Sequence, residues 1–333
     1  MSTGTPPLVS VVTPVFNGEP YLRECIESVL AQTYPNWDYT IVNNCSQDRT
    51  REIAEEYAAR DPRIRVHNNT QFARQIANHN IAVRQISPDS KYCKIVAADD
   101  WLFPDCLSRM VDLAEANPSI GIVSAYGLQG NTVAWSGLPF SSGCIPGHQV
   151  CREKLLGGPY VFGAPTSVLY RADIVRARPA FFNESNLHAD TEVCFEVLKA
   201  HDFGFVHQVL TFTRTQDGSL NAFSKQINTN LPANVYYLLK YGADYLSPAE
   251  VHERLTLRMK QYYAFLGESV LQRRDKAFWA FHRDKLRDLG LPLNYWRLGR
   301  VVAMRLLDLI LNPKRAVESL WRHVTRLPQQ KVQ

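Results

Sequence analysis

The sequence predicts an α/β fold with a mostly parallel sheet and helices on both faces, followed by a helical C-terminal region. Three observations predict it. Short, β-branched apolar runs recur in the first part of the chain, and segments with apolar residues at three-and-four spacing lie between them. From Leu231 onward the helical spacing continues throughout. Alternating strand and helix patterns imply strand-helix-strand units and hence a parallel sheet. The change of pattern divides the chain into 1–230 and 231–333.

The strands are read in LVSVVTP (Leu8 to Pro14), YTIVNN (Tyr39 to Asn44), IRVHNN (Ile64 to Asn69) and CKIVAA (Cys93 to Ala98), each apolar enough to be covered on two faces. Helices are read from Tyr21, Leu22, Cys25, Ile26, Val29 and Leu30, from Ile53, Ala54, Tyr57 and Ala58, and from Ile76, Ala77, Ile81 and Ala82. A helix over Asp105 to Ala116 and a strand over Ile120 to Tyr126 extend the pattern. The stretch from Gly127 to about Gly163 is rich in Gly, Ser and Pro and reads as loops and irregular strands facing a substrate. His188 to Gly204 returns to a helical pattern, and Phe205 to Arg214 reads as a strand. In SPAEVHERL, Ser247 as cap, Pro248 at the first helical position and Glu250 form a helix-start signature.

Composition narrows the function classes. With 333 residues, 45% hydrophobic and 21% charged, the chain is long enough for one large or two modest globular domains, and disorder is excluded. Seven widely spaced cysteines without a C-x-x-C pair suggest neither a disulfide framework nor a zinc site, which fits a reducing cytoplasm. No export signal and no run of roughly 18 apolar residues is visible. The net charge of +5 is uneven: from Trp296 onward eight Lys/Arg and two Asp/Glu give the tail +6 and leave the rest at −1. A nucleic-acid partner for the main body is not indicated.

Ligands of open α/β sheets sit at the carboxyl ends of the strands. Asp99 and Asp100 fall at that end of the fourth strand. Adjacent carboxylates repel unless a cation shares the site, and Mg²⁺ or Mn²⁺ bridging to a diphosphate is the simplest candidate. An isolated Asp-Asp pair serves equally to turn the chain into the next helix.

Taken together, VSVVTPVFNGEPYLRECIESVLAQTYPNWDYTIVNNCSQDRT, ARQIANHNIA and KIVAADDWLFPD resemble the family 2 glycosyltransferases with the GT-A fold, over about Val9 to Ser219. The chain has neither G-x-G-x-x-G after the first strand nor a P-loop signature. The resemblance implies that Thr13, Pro14, Val15 and Phe16 wall the nucleotide base. It also implies that Asp99 lies near ribose and metal, that Asp100 is the principal metal carboxylate, expected to face solvent, and that Arg74 is a basic residue on the nucleotide side. Where the family commonly shows Val-Asp-Asp-Gly-Ser, this chain has VNNCSQD, with Asn43 and Asn44 at the base-reading positions. An amide has one acceptor and two donors and suits more than one base. Asp48 matches a later family Asp or caps the Thr50 helix.

By the same resemblance Asp190 is the base that deprotonates the acceptor hydroxyl, with Glu192 as runner-up, His188 beside them, and Arg214 structural or phosphate-facing. The implied reaction is a one-step inverting transfer from a nucleotide-sugar donor, a UDP-sugar ahead of others, to a glycan or lipid-linked acceptor of surface polysaccharide. A sugar-phosphate nucleotidyltransferase and an inactive glycan- or nucleotide-binding relative are the alternatives. The tail from Trp296 places Leu298, Val301, Val302, Leu306, Leu309 and Ile310 on one apolar face. Packing on the protein and peripheral contact with the inner face of a membrane, Trp296 and Trp321 at its boundary, are both open to it.

Overall fold

The computed structural model describes residues 5–215, 224 and 226–312. Two compact units divide the chain: Met1–Ala222 with Asp244–Leu246, and Phe223–Ala243 with Ser247–Gln333.

The first unit opens with the alternation read from the sequence: β1 (Val9–Val15), α1 (Leu22–Leu30), β2 (Trp37–Asn43), α2 (Thr50–Arg60), β3 (Ile64–Asn68), α3 (Gln75–Val83) and β4 (Tyr92–Ile95). Every residue of β1 is buried, because helices cover both faces of the sheet's centre. There follow β5 (Trp101–Leu102), α4 (Cys106–Ala116), β6 (Ile120–Gln129), β7 (Thr132–Ala134), β8 (Cys144–Ile145), α5 (Gly147–Leu155), β9 (Leu169–Arg171), α6 (Ala172–Arg176), α7 (Ala189–Val197) and β10 (Asp202–Thr213).

One sheet takes the strands in the order β3-β2-β1-β4-β9-β6-β10-β5. The run from β3 to β4 is parallel, as is β6 with β10, while β9 lies antiparallel between β4 and β6. The core beneath it joins Val9, Val11 and Val15 with Ile26 and Val29 of α1 and Leu107, Met110 and Val111 of α4.

Two local readings differ from the structure. The stretch expected to be irregular contains α5, whose sparse apolar positions, Val150, Cys151 and Leu155, hide the helical period. Its first residue must be glycine, since a Cβ on Gly147 would lie 2.0 Å from the His201 carbonyl oxygen. The helix expected to reach Gly204 stops at Val197, and β10 begins at Asp202.

The second unit contains α8 (Asn230–Tyr245), whose end belongs to the first, then α9 (Pro248–Leu271), α10 (Lys276–Asp288) and α11 (Tyr295–Leu311). Ser247 and Glu250 form the capping box expected for α9. Met259, Tyr262, Tyr263, Leu266, Phe278, Leu286 and Leu298 make its core. Gly267 admits Val301 of α11, where a Cβ would stand 2.7 Å from the valine methyl.

Candidate active site

The carboxyl ends of β1, β2 and β4 lie side by side, so the segments that follow them share one edge of the sheet. Thr13, Pro14 and Val15 are buried, and Thr13 uses its hydroxyl on Tyr39 at 2.8 Å. Phe16, the next residue, is 46% exposed and meets Phe72 edge to face at 5.0 Å. Phe72 was not singled out from the sequence, since a lone aromatic in a polar loop carries no periodic signal. Arg74, two residues on, is exposed at the cap of α3.

Asn43 and Asn44 are both buried, and their amides are engaged within the protein. Asn43 donates to Asn68 Oδ1 at 2.8 Å and accepts the Ser46 N–H at 3.1 Å. Asn44 clamps one residue from both sides: Nδ2 donates to the Ala73 carbonyl at 2.7 Å, and Oδ1 accepts the Ala73 N–H at 2.9 Å. Asn69 also donates to Asn44 Oδ1, at 2.9 Å. A carboxylate at position 44 has no donor for that carbonyl, so the amide is required by the backbone it holds. Asp48, partly exposed, is also engaged within the protein, accepting from Glu19 N at 2.9 Å and Thr50 N at 3.1 Å, as a helix-start residue does.

Asp99 and Asp100 leave β4 in a turn tied to distant segments. Asp100 is 4% exposed, which corrects the expectation that it faces solvent. Its Oδ2 accepts the Thr166 hydroxyl at 2.6 Å and its Oδ1 the Arg214 N–H at 2.9 Å. Burial, and then the charge of Asp99, push the Asp100 carboxyl up to about 7. Asp99 is more exposed, and burial raises it as well. Arg214 donates from Nε to the Asp99 carbonyl at 3.1 Å, pairs with Glu24 at 2.5 Å, and lies 4.3 Å over the Tyr21 ring. Arg214 is therefore a brace of the carboxylate turn.

The two base candidates at the start of α7 separate clearly. Glu192 is buried, accepting from Asn186 Nδ2 at 2.6 Å and Asn183 Nδ2 at 3.0 Å. Asp190 remains partly exposed, and burial of its carboxyl raises its pKa, against the backbone N–H of Thr191 and the charge of His188. A carboxylate with raised proton affinity suits proton abstraction. Asn183 and Asn186 were missed in the sequence because nothing in their spacing marks them as carboxylate partners.

Among the described residues no group of three His, Cys, Asp or Glu side chains converges as a metal site. The donor set that fits a divalent ion is Asp99 with Asp100, two hard oxygen donors in a turn with excess negative charge. Mg²⁺-type ions are commonly held by one or two carboxylates, with phosphate and water completing the shell.

The family model described as "Glycosyl transferase family 2" matches residues 10–176. The uncharacterized glycosyltransferase EpsJ of Bacillus subtilis (strain 168) is 37% identical over 111 residues, a stretch covering 33% of this chain and 31% of EpsJ. The match thus spans under a third of that relative's length. In fold, the chain is similar to S. aureus TarS 1-349 in complex with UDP-GlcNAc, with TM-score 0.62 and 16% identity, covering 95% of this chain and 91% of that one. It is also similar to the mannosyltransferase PcManGT from Pyrobaculum calidifontis in complex with GDP-Man and Mn²⁺, with TM-score 0.56 and 15% identity, covering 92% and 87%.

Proposed function

Since the chain belongs to glycosyl transferase family 2, we propose that it moves a sugar from a nucleotide-diphosphate donor to a glycan or lipid-linked acceptor, with inversion, in surface polysaccharide synthesis. The observation that carries this reading is the Asp99-Asp100 turn at the carboxyl edge of the parallel strands, where burial, and then the charge of Asp99, raise Asp100 to about 7. A site of that kind is completed by a cation and the diphosphate it binds. Structures of similar fold hold UDP-GlcNAc in one case and GDP-Man with Mn²⁺ in another, which supports a nucleotide-sugar donor, a UDP-sugar first.

Asp99 and Asp100 would hold Mg²⁺ or Mn²⁺, which offsets the charge that develops on the departing nucleoside diphosphate. Asp99, the more exposed carboxylate, is the outward ligand in this proposal, and Asp100 supports it from behind. Phe16 and the backbone at the end of β1 receive the base, Arg74 lies on the nucleotide side, and Asn43 and Asn44 act through the backbone they fix. Asp190 accepts the proton of the acceptor hydroxyl as its oxygen attacks the anomeric carbon opposite the leaving group. One displacement then inverts the centre and leaves no sugar on the protein. The catalytic machinery falls within the region read as 1–230, and 231–333 carries accessory helices.

Thermal unfolding of the full chain with UDP or GDP, with and without Mn²⁺, tests the reading. A Mn²⁺-dependent stabilisation is expected, roughly 2.7 kcal/mol at a hundred times Kd. No shift with either nucleotide overturns it.

Membrane attachment is the second part of the proposal, and α11 supports it differently from the sequence expectation. Leu298, Val301 and Val302 belong to the core of the second unit. Trp296, Met304, Leu307, Ile310 and Leu311 are exposed on the opposite side, at 80%, 66%, 56%, 73% and 75%. The helix is therefore apolar on two sides, and only one is used for packing. Trp321 and the basic residues from Lys314 onward lie outside the described residues. No described helix is long and apolar enough to cross a membrane, so the contact proposed is interfacial. Flotation with anionic liposomes should recover the full chain, and Trp296→Glu with Leu307→Glu should abolish recovery; unchanged recovery refutes it.

A further inference from the structure

Trp135 follows β7 in the first unit and is held under conditions that packing alone does not require. Its backbone is left-handed, with φ 65°, a conformation that a bulky residue adopts at a cost in free energy. Its indole nitrogen is buried with no hydrogen-bond partner, although buried indole N–H groups ordinarily find one. The ring edge presses on β6 where Gly127 makes room: a Cβ there would stand 2.8 Å from Nε1. Despite these constraints Trp135 stays partly exposed.

The neighbours of Trp135 lead to the base. Its ring meets Tyr160 edge to face, with centroids 5.7 Å apart and planes at 70°. Tyr160 donates its hydroxyl to the Gly163 carbonyl at 3.1 Å and is hydrogen-bonded to the Thr191 hydroxyl at 2.9 Å. Thr191 is the residue after Asp190. Just beyond the indole, Gly137 at φ 127° brings the loop onto Pro159, where a Cβ would stand 2.4 Å from the proline ring. A strained backbone, an unsatisfied donor and the close approach of Gly127 thus fix one aromatic ring, which Tyr160 links to the residue after Asp190.

A pyranose presents on one face C–H groups polarised by the neighbouring oxygens, and these match the electron-rich face of an indole. We propose that Trp135 is the platform of an acceptor subsite that stacks a pyranose ring, with Tyr160 as the positioning residue that holds the indole relative to Asp190. This rests on the glycosyltransferase reading, and specifically on Asp190 as the base. It assigns the ligand class at the acceptor side, a neutral or N-acetylated hexopyranose.

Saturation-transfer NMR on the full chain tests it, with the methyl glycosides of glucose, galactose, mannose and N-acetylglucosamine as probes and with UDP and GDP plus Mn²⁺ measured separately. At least one glycoside should bind saturably. Trp135→Leu should weaken it tenfold or more. Trp135→Phe should retain part of the affinity, and nucleotide binding should be unchanged in both. A Trp135→Leu protein that binds glycosides like the wild type, or a wild type that binds none, overturns the subsite. Should glycosides depend on Trp135 while no nucleotide binds, the subsite stands and the donor reading falls.

Discussion

Thr166 donates its hydroxyl to Asp100 Oδ2 at 2.6 Å and accepts the Ala97 N–H on the same oxygen at 3.1 Å, so one side chain ties the carboxylate turn at both ends. Both partners belong to the exit of β4, whereas Thr166 arrives from a short 3₁₀ turn, Pro165–Ser167.

Thr166→Val keeps the shape and removes both bonds. It leaves the Ala97 N–H and one Asp100 oxygen unsatisfied in a buried place, which should destabilise the first unit by about 1–3 kcal/mol and weaken Mn²⁺-dependent nucleotide binding. Urea denaturation with a parallel binding titration checks this. Full stability with full binding would show that the turn stands without Thr166.

Asp100→Asn should abolish metal-dependent nucleotide binding and also lower stability, in contrast to the small effect expected for a solvent-facing carboxylate. The amide retains one acceptor where Thr166 and Arg214 supply two donors, a mismatch of about 1–3 kcal/mol. Calorimetric titration of Mn²⁺ with UDP, beside a denaturation curve, reads both effects.

Asp190→Asn should reduce turnover by at least about a hundredfold, the scale of losing a general base, at unchanged nucleotide affinity. Glu192→Gln should chiefly destabilise, because its carboxylate answers Asn183 and Asn186. Turnover compared with unfolding midpoints in the two variants decides between them, and the reverse pattern moves the base to Glu192.

Asn44→Asp sets an anion against the Ala73 carbonyl and loses the donor that held it. A stability loss of about 1–3 kcal/mol is expected, together with weaker binding of UDP and GDP alike. A changed preference between the two at unchanged stability would mean that Asn44 reads the base directly.

In the second unit His282 accepts the Tyr262 hydroxyl on Nδ1 at 2.6 Å and donates from Nε2 to the Ile227 carbonyl at 2.9 Å. Burial lowers its pKa to about 4. The unfolded chain protonates near 6.5 while the folded one does not, so this contribution is complete above about 6.5 and is lost as pH falls from there to about 4, by about 3 kcal/mol. His282→Phe should flatten that part of the stability-pH curve. Denaturation curves at pH 7.5, 5.5 and 4.5 read it, and equal slopes in the two proteins would exclude the buried neutral histidine.

The strands β1, β2 and β4 were legible because each is a mostly apolar run buried on both faces, whereas β3, read in the same way, is an edge strand in which only Ile64 is buried; α1 to α3 were legible because their apolar residues keep one period. Strand β9 and helix α5 were not: three residues carry no period, and the fit of Gly147 against His201 is a tertiary fact. The same divide runs through the site. Asp99, Asp100 and Asp190 are visible as chemistry-bearing residues in recognisable surroundings. Thr166 and the Arg214 backbone, 66 and 114 residues from Asp100, are joined to it only by folding, as Phe72 is to Phe16. Asn43 and Asn44 were legible as a departure from the commonest motif, while the reason for Asn44, a grip on the Ala73 peptide, required the position of the loop.

The antiparallel strand β9, only three residues long, joins the β3-β2-β1-β4 portion of the sheet to β6 and β10. The earlier portion can form from neighbouring pieces of chain as they emerge, whereas the later one must wait until residue 171 has been made and threaded back between β4 and β6. Pairings so distant in sequence come late in folding. The carboxylate turn belongs to the early portion and its fastenings, Thr166 and Arg214, to the late one. A ribosome-bound chain would therefore own the two aspartates well before their fastenings exist, and the turn would be completed in a single late step, when the seam closes.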